Sequence, residues 1–425
     1  MNHRARPSRP PGALPSVSDS MSQAAPLLLI GGMTTPRPYT KPLLESLAAT
    51  GPLLAVDAAA PTWQRLFLTG GSQVRRLTAA HVLRMVRHLE HPVGGVLALE
   101  ERLAALASEV AVTLRVPGYG ARAAAVVGDK WLVRQRLQAA GCLLVRARLA
   151  RQVVDAVAAA ARIGYPVVVR PRQGASPARR VDSQTDLVLA FQSAAVSDPN
   201  GEVLVEAFQE GSIVTVVCMT QNGYSSVVAV MRAQVRFMPA AVTTQHLVDS
   251  GDLLRGQAWL THLAGTALTG LGVENGISRI TLCLTRTGPV ILSVKAHLGT
   301  DLTAPLVNLA TGVDLAVEAA AVARGQARRP PDREYKCAAA GYVHAPGPGR
   351  IDRLTIGEQL DNMPWVERLA WEAAEGDTVA ITAGEPPPRL AHVIVTGRES
   401  SQCAAFLQRV RTQLSVKMTK QELAA

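Results

Sequence analysis

The chain has 425 residues, enough for about two to three domains, and 48% of them are hydrophobic. Its formal net charge is +11, but the basic residues are scattered and do not form a stripe with aromatic residues between them, which disfavours nucleic-acid binding. No apolar run approaches the roughly 18 residues of a membrane span, and the five cysteines contain no CxxC pair, which disfavours a membrane protein, a zinc site and a disulfide framework.

The N-terminal part predicts a basic extension followed by an α/β domain. Residues 1–25 are rich in Pro, Ser and Arg and lack an apolar signal segment, so we expect a disordered extension on a cytoplasmic protein with reduced thiols. Over residues 26–122, apolar strands alternate with helical segments, which predicts a doubly wound α/β domain. The predicted strands are residues 26–32, 53–57 and 93–99, and the helices are residues 41–50 and an Ala-rich helix ending at Leu114. Glu100 follows the third strand, and we expect it at a solvated helix start.

The next segment carries one helix start and two apolar strings. Asp129 suits the N-cap or the first turn of a helix at residues 130–140. The two strings are IGYPVVVRP at residues 163–171, which contains Arg170, and VLVEAFQEG at residues 203–211.

Hairpins dominate the middle of the chain. Asn222-Gly223 lies between two alternating apolar runs, at residues 213–220 and 225–235, which predicts a β-hairpin. A second hairpin follows further on, because two alternating runs surround a Gly turn. The elements predicted there are strands 277–284 and 289–296, a turn at 286–288, a helix start at 299–301, a long helix at 306–324 and a polar linker at 326–334.

These strings, in this order, resemble the ATP-grasp ligases, which activate a carboxylate as an acyl phosphate that an amine then attacks. The resemblance rests on DKWLVRQRLQAAG, IGYPVVVRP, VLVEAFQEG and the second hairpin with its LGTD turn. Near the C-terminus, AAGYVHAPGPG resembles the last domain of dipeptide-forming L-amino-acid ligases. The resemblance implies an α/β protein with an ATP-grasp fold, an N-terminal doubly wound α/β (pre-ATP-grasp) domain and a C-terminal α+β domain. The implied domains are residues 26–122, 123–326 and 335–416, with a tail at residues 417–425.

The resemblance also implies a nucleotide site. In the family, lysines at the positions of Lys130 and Arg170 reach the ATP phosphates, and the backbone around Glu206, Ala207 and Phe208 meets adenine. ATP is therefore the expected ligand, and Mg²⁺ is the metal that the family implies. A small-molecule carboxylate, an amine or a nucleotide is the expected partner, and a protein partner and a homodimer are further expectations.

The positions that hold the metal in the family carry other residues here. Thr281 stands at the first Glu, and Ser293, Lys295 and His297 stand at the positions of Glu-x-Asn-x-Arg. Gly341 stands where relatives carry an arginine that contacts the reacting groups. Hydroxyls and an ammonium are not the oxygen ligands that Mg²⁺ prefers, so we assign no metal ligand and no catalytic residue. The sequence therefore predicts a non-catalytic or strongly impaired pseudo-ligase.

An active ATP-dependent carboxylate–amine ligase, with secondary metabolism as its expected setting, is the alternative. Its nearest carboxylates are Glu274 and Asp301. The nucleotide site also lacks a ribose contact, because Ile213 stands where the family carries a ribose-binding Glu. Metal dependence separates the two interpretations.

Lys295 carries a charge that needs a partner. Period-two alternation places it on the same face as Ser293, which faces the cleft in relatives. A buried ammonium without a counter-ion is costly. The candidates for neutralising it are Asp301, Glu274, water, or a bound anion that Arg170 and Lys130 share. The candidate anion- or substrate-binding residues are Lys295, His297, Asp301 and Arg179.

Overall fold

The computed structural model describes residues 25–174, 177–238, 240–326, 336–357, 360–381 and 385–419. The predicted N-terminal extension, apart from Ala25, and the predicted linker, apart from Gln326, lie outside the described residues. Most of the predicted strands and helices can therefore be compared directly with the structure.

A four-stranded parallel sheet with helices on both faces forms the N-terminal part, as predicted. Leu27 and Leu29 pack against the first helix, while Leu28 and Ile30 pack against the helices of the opposite face. A strand that is buried on both faces has apolar residues at every position, which explains the string LLLI. The elements are β1 Leu27–Ile30, α1 Arg37–Ala48, β2 Leu53–Asp57, β3 Gly70–Gln73, α2 Ala79–Val86, β4 Gly95–Ala98 and α3 Ala104–Leu114, with 3₁₀ turns at Trp63–Phe67 and Glu101–Leu103. The strand order is β3-β2-β1-β4, and β3 was not predicted from the sequence.

A small antiparallel sheet follows, in the order β5-β8-β6-β7. The predicted N-cap is confirmed, because the Asp129 side chain accepts hydrogen bonds from the amides of Trp131 and Leu132. The elements are α4 Ala121–Ala124, α5 Lys130–Ala139, β5 Ala147–Ala150, α6 Val153–Ile163, β6 Val167–Pro171, β7 Arg179–Val181, α7 Gln184–Val196 and β8 Val203–Ala207. Helices α6 and α7 cover one face of this sheet, and its other face is turned towards the large sheet described next.

The large sheet contains both predicted hairpins. Asn222 and Gly223 have φ values of +50° and +80°, the left-handed conformation that a two-residue hairpin turn requires. The elements are β9 Ser212–Gln221, β10 Tyr224–Phe237, β11 Ala241–Asp249, α8 Ala258–Leu271, β12 Gly276–Thr285, β13 Gly288–Lys295, α9 Thr303–Thr311 and α10 Leu315–Ala323. We call β12 and β13 the central hairpin.

The single long helix predicted at residues 306–324 is wrong, because the structure has two helices. Gly312 ends α9 in the left-handed conformation, with φ +71°, and Asp314 caps α10 by accepting from the amides of Ala316 and Val317. The two helices meet at a bend of 103°. Within the described part of the chain no single helix is long and apolar enough to cross a membrane, and only this bent pair passes that test when its helices are taken together.

The C-terminal part extends the large sheet. Strand β11 pairs with β14, and the full order is β13-β12-β9-β10-β11-β14-β18-β16. The elements are β14 Cys337–His344, β15 Gly349–Ile356, β16 Val366–Trp371, β17 Thr378–Val379, β18 Arg389–Gly397, α11 Ser400–Gln413 and β19 Leu414–Thr419, with a 3₁₀ turn at Leu360–Asn362. Strand β19 pairs with β15, so the first residues of the predicted tail at 417–425 belong to a sheet.

One hydrophobic core joins the three parts of the chain. It contains Leu29 and Leu44 from the N-terminal part, Met231 and Leu306 from the middle, and Tyr342 from the C-terminal part. Shared apolar burial therefore fixes the positions of the parts around the cleft.

Candidate functional site

Arg170 lies on the small sheet and reaches across the cleft. Because Val167 and Val169 pack beneath α6 and α7, strand alternation turns Arg170 to the opposite face. Its Nε lies 2.8 Å from Oε2 of Glu206, and its Nη2 donates to the carbonyl of Leu292 on β13 at 3.0 Å. Arg170 therefore connects the small sheet to the central hairpin through these two contacts.

Glu206 is the centre of a buried ion cluster. Its Oε1 accepts from Nη1 of Arg134 on α5 at 2.8 Å and from Nη2 of Arg170 at 3.0 Å. Arg134 also donates to the carbonyl of Val145. None of the three charged side chains is more than 13% exposed. We call Arg134, Arg170 and Glu206 the Glu206 cluster; it holds two guanidinium groups around one carboxylate.

The segment that follows β8 is already hydrogen-bonded within the protein. The amide of Ala207 donates to the carbonyl of Arg146 at 2.8 Å, and the amide of Phe208 donates to the carbonyl of Pro166 at 3.2 Å. The Phe208 ring packs edge-on against Phe237, with 5.5 Å between the ring centroids. The two amides that the resemblance assigns to the adenine region are thus satisfied by the chain itself.

Three hydroxyl side chains stand in a row across the large sheet. Thr281 on β12 lies opposite Thr215 on β9 and opposite Ser293 on β13. The Oγ1 atoms of Thr215 and Thr281 are 3.3 Å apart. Ser293 and Lys295 line one cavity, as their spacing predicted, and a β-bulge interrupts the pairing of the two strands between Thr281 and Leu282.

Lys295 is neutralised by a carboxylate that the sequence analysis did not assign. Its Nζ lies 2.9 Å from Oε2 of Glu101, in the 3₁₀ turn after β4. Burial raises the pKa of Glu101, but the charge and hydrogen bond of Lys295 outweigh it and hold that pKa below its ordinary value. The expected counter-ions do not fill this role, because Asp301 pairs with Arg279 and Glu274 lies in the turn before β12, against the loop ahead of α4.

Lys295 lines a space of about 250 Å³ between α5, β6 and β13, which we call the inner cavity. Its charged lining residues are Lys130, Arg134, Arg170 and Lys295, with the carboxylates Glu101 and Asp129. Nζ of Lys130 donates to the carbonyl of Gly174 at 2.8 Å. Burial and the charge of Arg170 lower the pKa of Lys130 to about 8, which reflects the crowding of cations around this space.

A guanidinium reaches His297 from the neighbouring strand. Arg279 lies opposite Lys295, and its Nη2 is 3.4 Å from Nε2 of His297. Its Nη1 binds Asp301, whose Oδ1 accepts from the amide of Thr303 at 2.9 Å at the start of α9. His297 stands at the position of a family arginine, and the guanidinium of Arg279 on β12 lies beside it.

A second polar cluster lies where the three parts of the chain meet. Cζ of Arg389 lies 3.9 Å above the ring centroid of Tyr342, and Nη1 of Arg389 donates to the hydroxyl of Tyr39 at 2.7 Å. That hydroxyl donates to Glu372, and the Tyr342 hydroxyl is 2.8 Å from Nδ1 of His246. Sequence reasoning assigned none of these side chains, because the partners lie far apart in the chain.

Two of the predicted site residues lie elsewhere. A Cβ on Gly341 would meet Leu407 of α11 at 3.0 Å, so this position faces the α11 core and not the polar cluster. Gly341, at the position of the family arginine, therefore faces away from the cluster, while Tyr342, the next residue, faces it. Arg179 lies on β7 and does not line the inner cavity.

Comparison with known proteins agrees with this architecture. Residues 341–419 match the family model described as L-amino acid ligase C-terminal domain 2. The structure is similar to that of an L-amino acid ligase from Bacillus licheniformis, with a TM-score of 0.79 and 16% identity, over 93% of this chain and 99% of that chain. The chain has the ATP-grasp fold. The similarity covers the N-terminal sheet, the cleft and the C-terminal strands of this ATP-grasp protein together.

Two curated relatives match over part of their length. An uncharacterized protein, y4rH, of Sinorhizobium fredii (strain NBRC 101917 / NGR234) is 25% identical over 332 residues, which are 75% of this chain and 66% of that protein. The D-alanine–D-alanine ligase of Pseudomonas entomophila (strain L48) is 33% identical over 137 residues, 32% of this chain and 38% of the ligase. This ATP-grasp chain thus spans less than two thirds of either relative, and likeness to them does not assign an activity.

The residues of the cleft do not fit the Mg²⁺ that the resemblance implies. Thr281 and Ser293 offer neutral hydroxyls, and Lys295 adds an ammonium beside Ser293. Among the described residues, no group of three or more His, Cys, Asp or Glu side chains is arranged to hold a metal ion. A divalent cation here lacks the anionic oxygen ligands it prefers and meets like charge, whereas an anion meets complementary charge.

Sequence reasoning found part of the inner cavity and missed two charged residues. Arg134 lies four positions after Lys130, on the same face of α5, and this spacing could have identified it. The sequence pattern singled out Glu100 and not Glu101. Glu100 is not solvated as expected, because its Oε1 accepts a hydrogen bond from the amide of Gly32 at 3.0 Å. Which of two neighbouring glutamates faces the cleft depends on how the N-terminal sheet packs.

Glu206→Gln should lower the free energy of unfolding by about 3–5 kcal/mol, because it leaves two buried guanidinium groups without their counter-charge. Urea unfolding followed by circular dichroism measures the loss. The control is Glu45→Gln, which removes an exposed pair with Lys41 and should cost less than about 1 kcal/mol. Equal losses in the two variants would contradict the account of the Glu206 cluster.

Stability should fall as the pH drops from about 6.5 towards 4, because His297 and His246 stay neutral in the folded protein. Burial lowers the pKa of both to about 4, against about 6.5 in an unfolded chain. The unfolded state then binds more protons, which at pH 5 removes about 2 kcal/mol of stability through His297.

The measurement is the difference in unfolding free energy between pH 7 and pH 5. His297→Gln should make this difference smaller, while His91→Gln, at an exposed position, should leave it unchanged. A pH dependence that is the same in His297→Gln and the parent protein would refute the explanation.

Proposed function

We propose that this ATP-grasp chain is a non-catalytic or strongly impaired relative of the carboxylate–amine ligases. The observation that carries the proposal is the row of hydroxyls from Thr215, Thr281 and Ser293 across the strands where the family holds its metal. Lys295 adds positive charge to the same space. The scaffold is retained, while the ligands for the ion that assists the chemistry are missing.

The energetic consequence is large. A divalent metal stabilises charge on a transferring phosphoryl group by several kcal/mol. Loss of about 4 kcal/mol slows a reaction roughly a thousandfold. Lys130 and Lys295 can attract an anion as point charges, but ammonium groups do not reproduce the coordination geometry of a metal ion. Binding can therefore persist where phosphoryl transfer does not.

The function that this arrangement supports is recognition of a ligand. The excess of basic over acidic side chains around the inner cavity favours an anion bound without magnesium. In this proposal ATP contacts the protein chiefly through its phosphates. A small carboxylate or amine, a protein partner, a homodimer and a cytoplasmic location remain predictions.

An active ligase is the second candidate, and Glu101 is the observation in its favour. Glu101 brings one carboxylate to the inner cavity. That carboxylate is held by Lys295 at 2.9 Å. The second carboxylate that lines the cavity, Asp129, is paired with Arg172 and accepts hydrogen bonds from the first amides of α5. Asp301 is bound by Arg279, and Glu274 lies before β12, so neither adds a further carboxylate to this cavity.

The purified full chain should show no amino-acid-dependent release of phosphate from ATP, or a rate far below an ordinary enzyme rate. The reason is the absence of carboxylates at Thr281 and Ser293. A screen of amino-acid pairs with ATP and Mg²⁺, read as phosphate release, makes the measurement. Turnover of about 1 per second or faster with any pair would reject the proposal.

The double variant Thr281→Glu, Ser293→Glu should not restore ATP hydrolysis. Lys295 still occupies the cavity and Ile213 still replaces a ribose contact, so the nucleotide remains poorly held. The same phosphate-release assay decides the matter. A rate that rises to about 1 per second in the double variant would mean that two carboxylates were the sole defect.

A further inference from the structure

Two spaces lie beside the inner face of the small sheet. The inner cavity, between that sheet and the central hairpin, includes Lys130, Arg170 and Lys295. An outer groove, lined by β7, the segment after β8 and parts of β9 and β10, includes Phe208 and Ile213. The positions that the family uses for phosphates thus line the inner cavity, while two that it uses for the nucleoside line the outer groove.

The contacts of Arg170 account for this division. Its guanidinium binds Glu206 on one side and the carbonyl of Leu292 on the other, so it spans the cleft from β8 to β13. Glu206 lies two residues before Phe208. A nucleoside that extended from the inner cavity to the segment after β8 would have to break this buried ion pair, which is costly.

The size of the inner cavity also favours a ligand smaller than a nucleotide. Its volume of about 250 Å³ lies below the roughly 300–1,000 Å³ of sites for drug-sized ligands. Four basic and two acidic side chains line it, and Arg134 and Arg170 share a single counter-ion, Glu206, so positive charge remains in excess. A small ligand with two or more negative charges fits both the volume and the charge.

We infer that the inner cavity binds a compact oxyanion of the diphosphate class, without a nucleoside and without a divalent metal. The inference rests on the proposed function, since it requires that the metal site is lost. Lys130 and Lys295 donate charge-assisted hydrogen bonds to the oxyanion. Glu101 holds Lys295 in the free protein and competes with the oxyanion for it.

The test is calorimetric titration of the full chain with inorganic diphosphate in EDTA, with ATP and adenosine as comparison ligands. Diphosphate should bind at least as tightly as ATP, and adenosine should give no binding. Added Mg²⁺ should not tighten diphosphate binding, because it forms a complex with diphosphate in solution. The two carboxylates of the cavity, Glu101 and Asp129, are already paired with Lys295 and Arg172.

Four variants locate the site. Lys295→Ala should weaken diphosphate about tenfold or more, and Lys295→Arg should retain most of the affinity. Glu101→Gln should tighten diphosphate several-fold, because it removes the internal competitor for Lys295. Glu45→Gln makes the same charge change at an exposed pair on α1 and should leave the affinity unchanged.

Several results would overturn the inference. These are no diphosphate binding, a requirement for Mg²⁺, ATP binding more than tenfold tighter than diphosphate, or equal effects of Glu101→Gln and Glu45→Gln. Each of them leaves the proposed loss of catalysis standing, because turnover decides that question. Turnover of about 1 per second, in contrast, overturns the proposed function and with it the inference.

Discussion

The carboxylate of Glu206, buried between two guanidinium groups, determines the form of the cleft. Arg134 comes from α5 and Arg170 from β6, and Arg170 continues to the carbonyl of Leu292 on the central hairpin. A buried charge is tolerated only where it is paired and hydrogen-bonded. Through its two arginine partners, this carboxylate therefore connects a helix, the small sheet and the large sheet. Arg170 spans the cleft at the place where the family binds a nucleotide.

The charge around this cluster has the sign that an anion requires. A magnesium site gathers carboxylates, whereas Thr281 and Ser293 are neutral and Lys295 is positive. Glu101 comes from the N-terminal part of the chain and neutralises Lys295. The packing of the N-terminal sheet against the central hairpin thus controls how much of that positive charge is available to a ligand.

Local patterns in the sequence predicted most of the fold. The hairpin turn at Asn222-Gly223, the N-cap at Asp129 and the continuous apolar run of β1 are each set by neighbouring residues, and the structure has all three. The break between α9 and α10 also had a local signal, a glycine followed by the capping residue Asp314, but it lay inside an apolar stretch that reads as one helix.

The site was harder to predict because its pairs join distant residues. Glu101 and Lys295 are separated by nearly half of the chain, and Arg134 meets Glu206 through the packing of α5 on the small sheet. Sequence patterns gave the residue types of the cleft, while their partners required the tertiary structure.

The most direct test of the account is the binding of Mn²⁺, a divalent cation that takes the same oxygen ligands as Mg²⁺ and whose free form gives a paramagnetic resonance signal. The signal of free Mn²⁺ is recorded with increasing full-length protein, in the presence and absence of ATP. Without ATP, the account predicts that added protein leaves the signal of free Mn²⁺ unchanged. With ATP, the signal should fall only as far as it falls with ATP and no protein. The reason is that the cleft offers hydroxyls and ammonium groups. A loss of signal that follows the protein concentration and disappears in Ser293→Ala would show that the cleft binds a divalent metal, and would contradict the account.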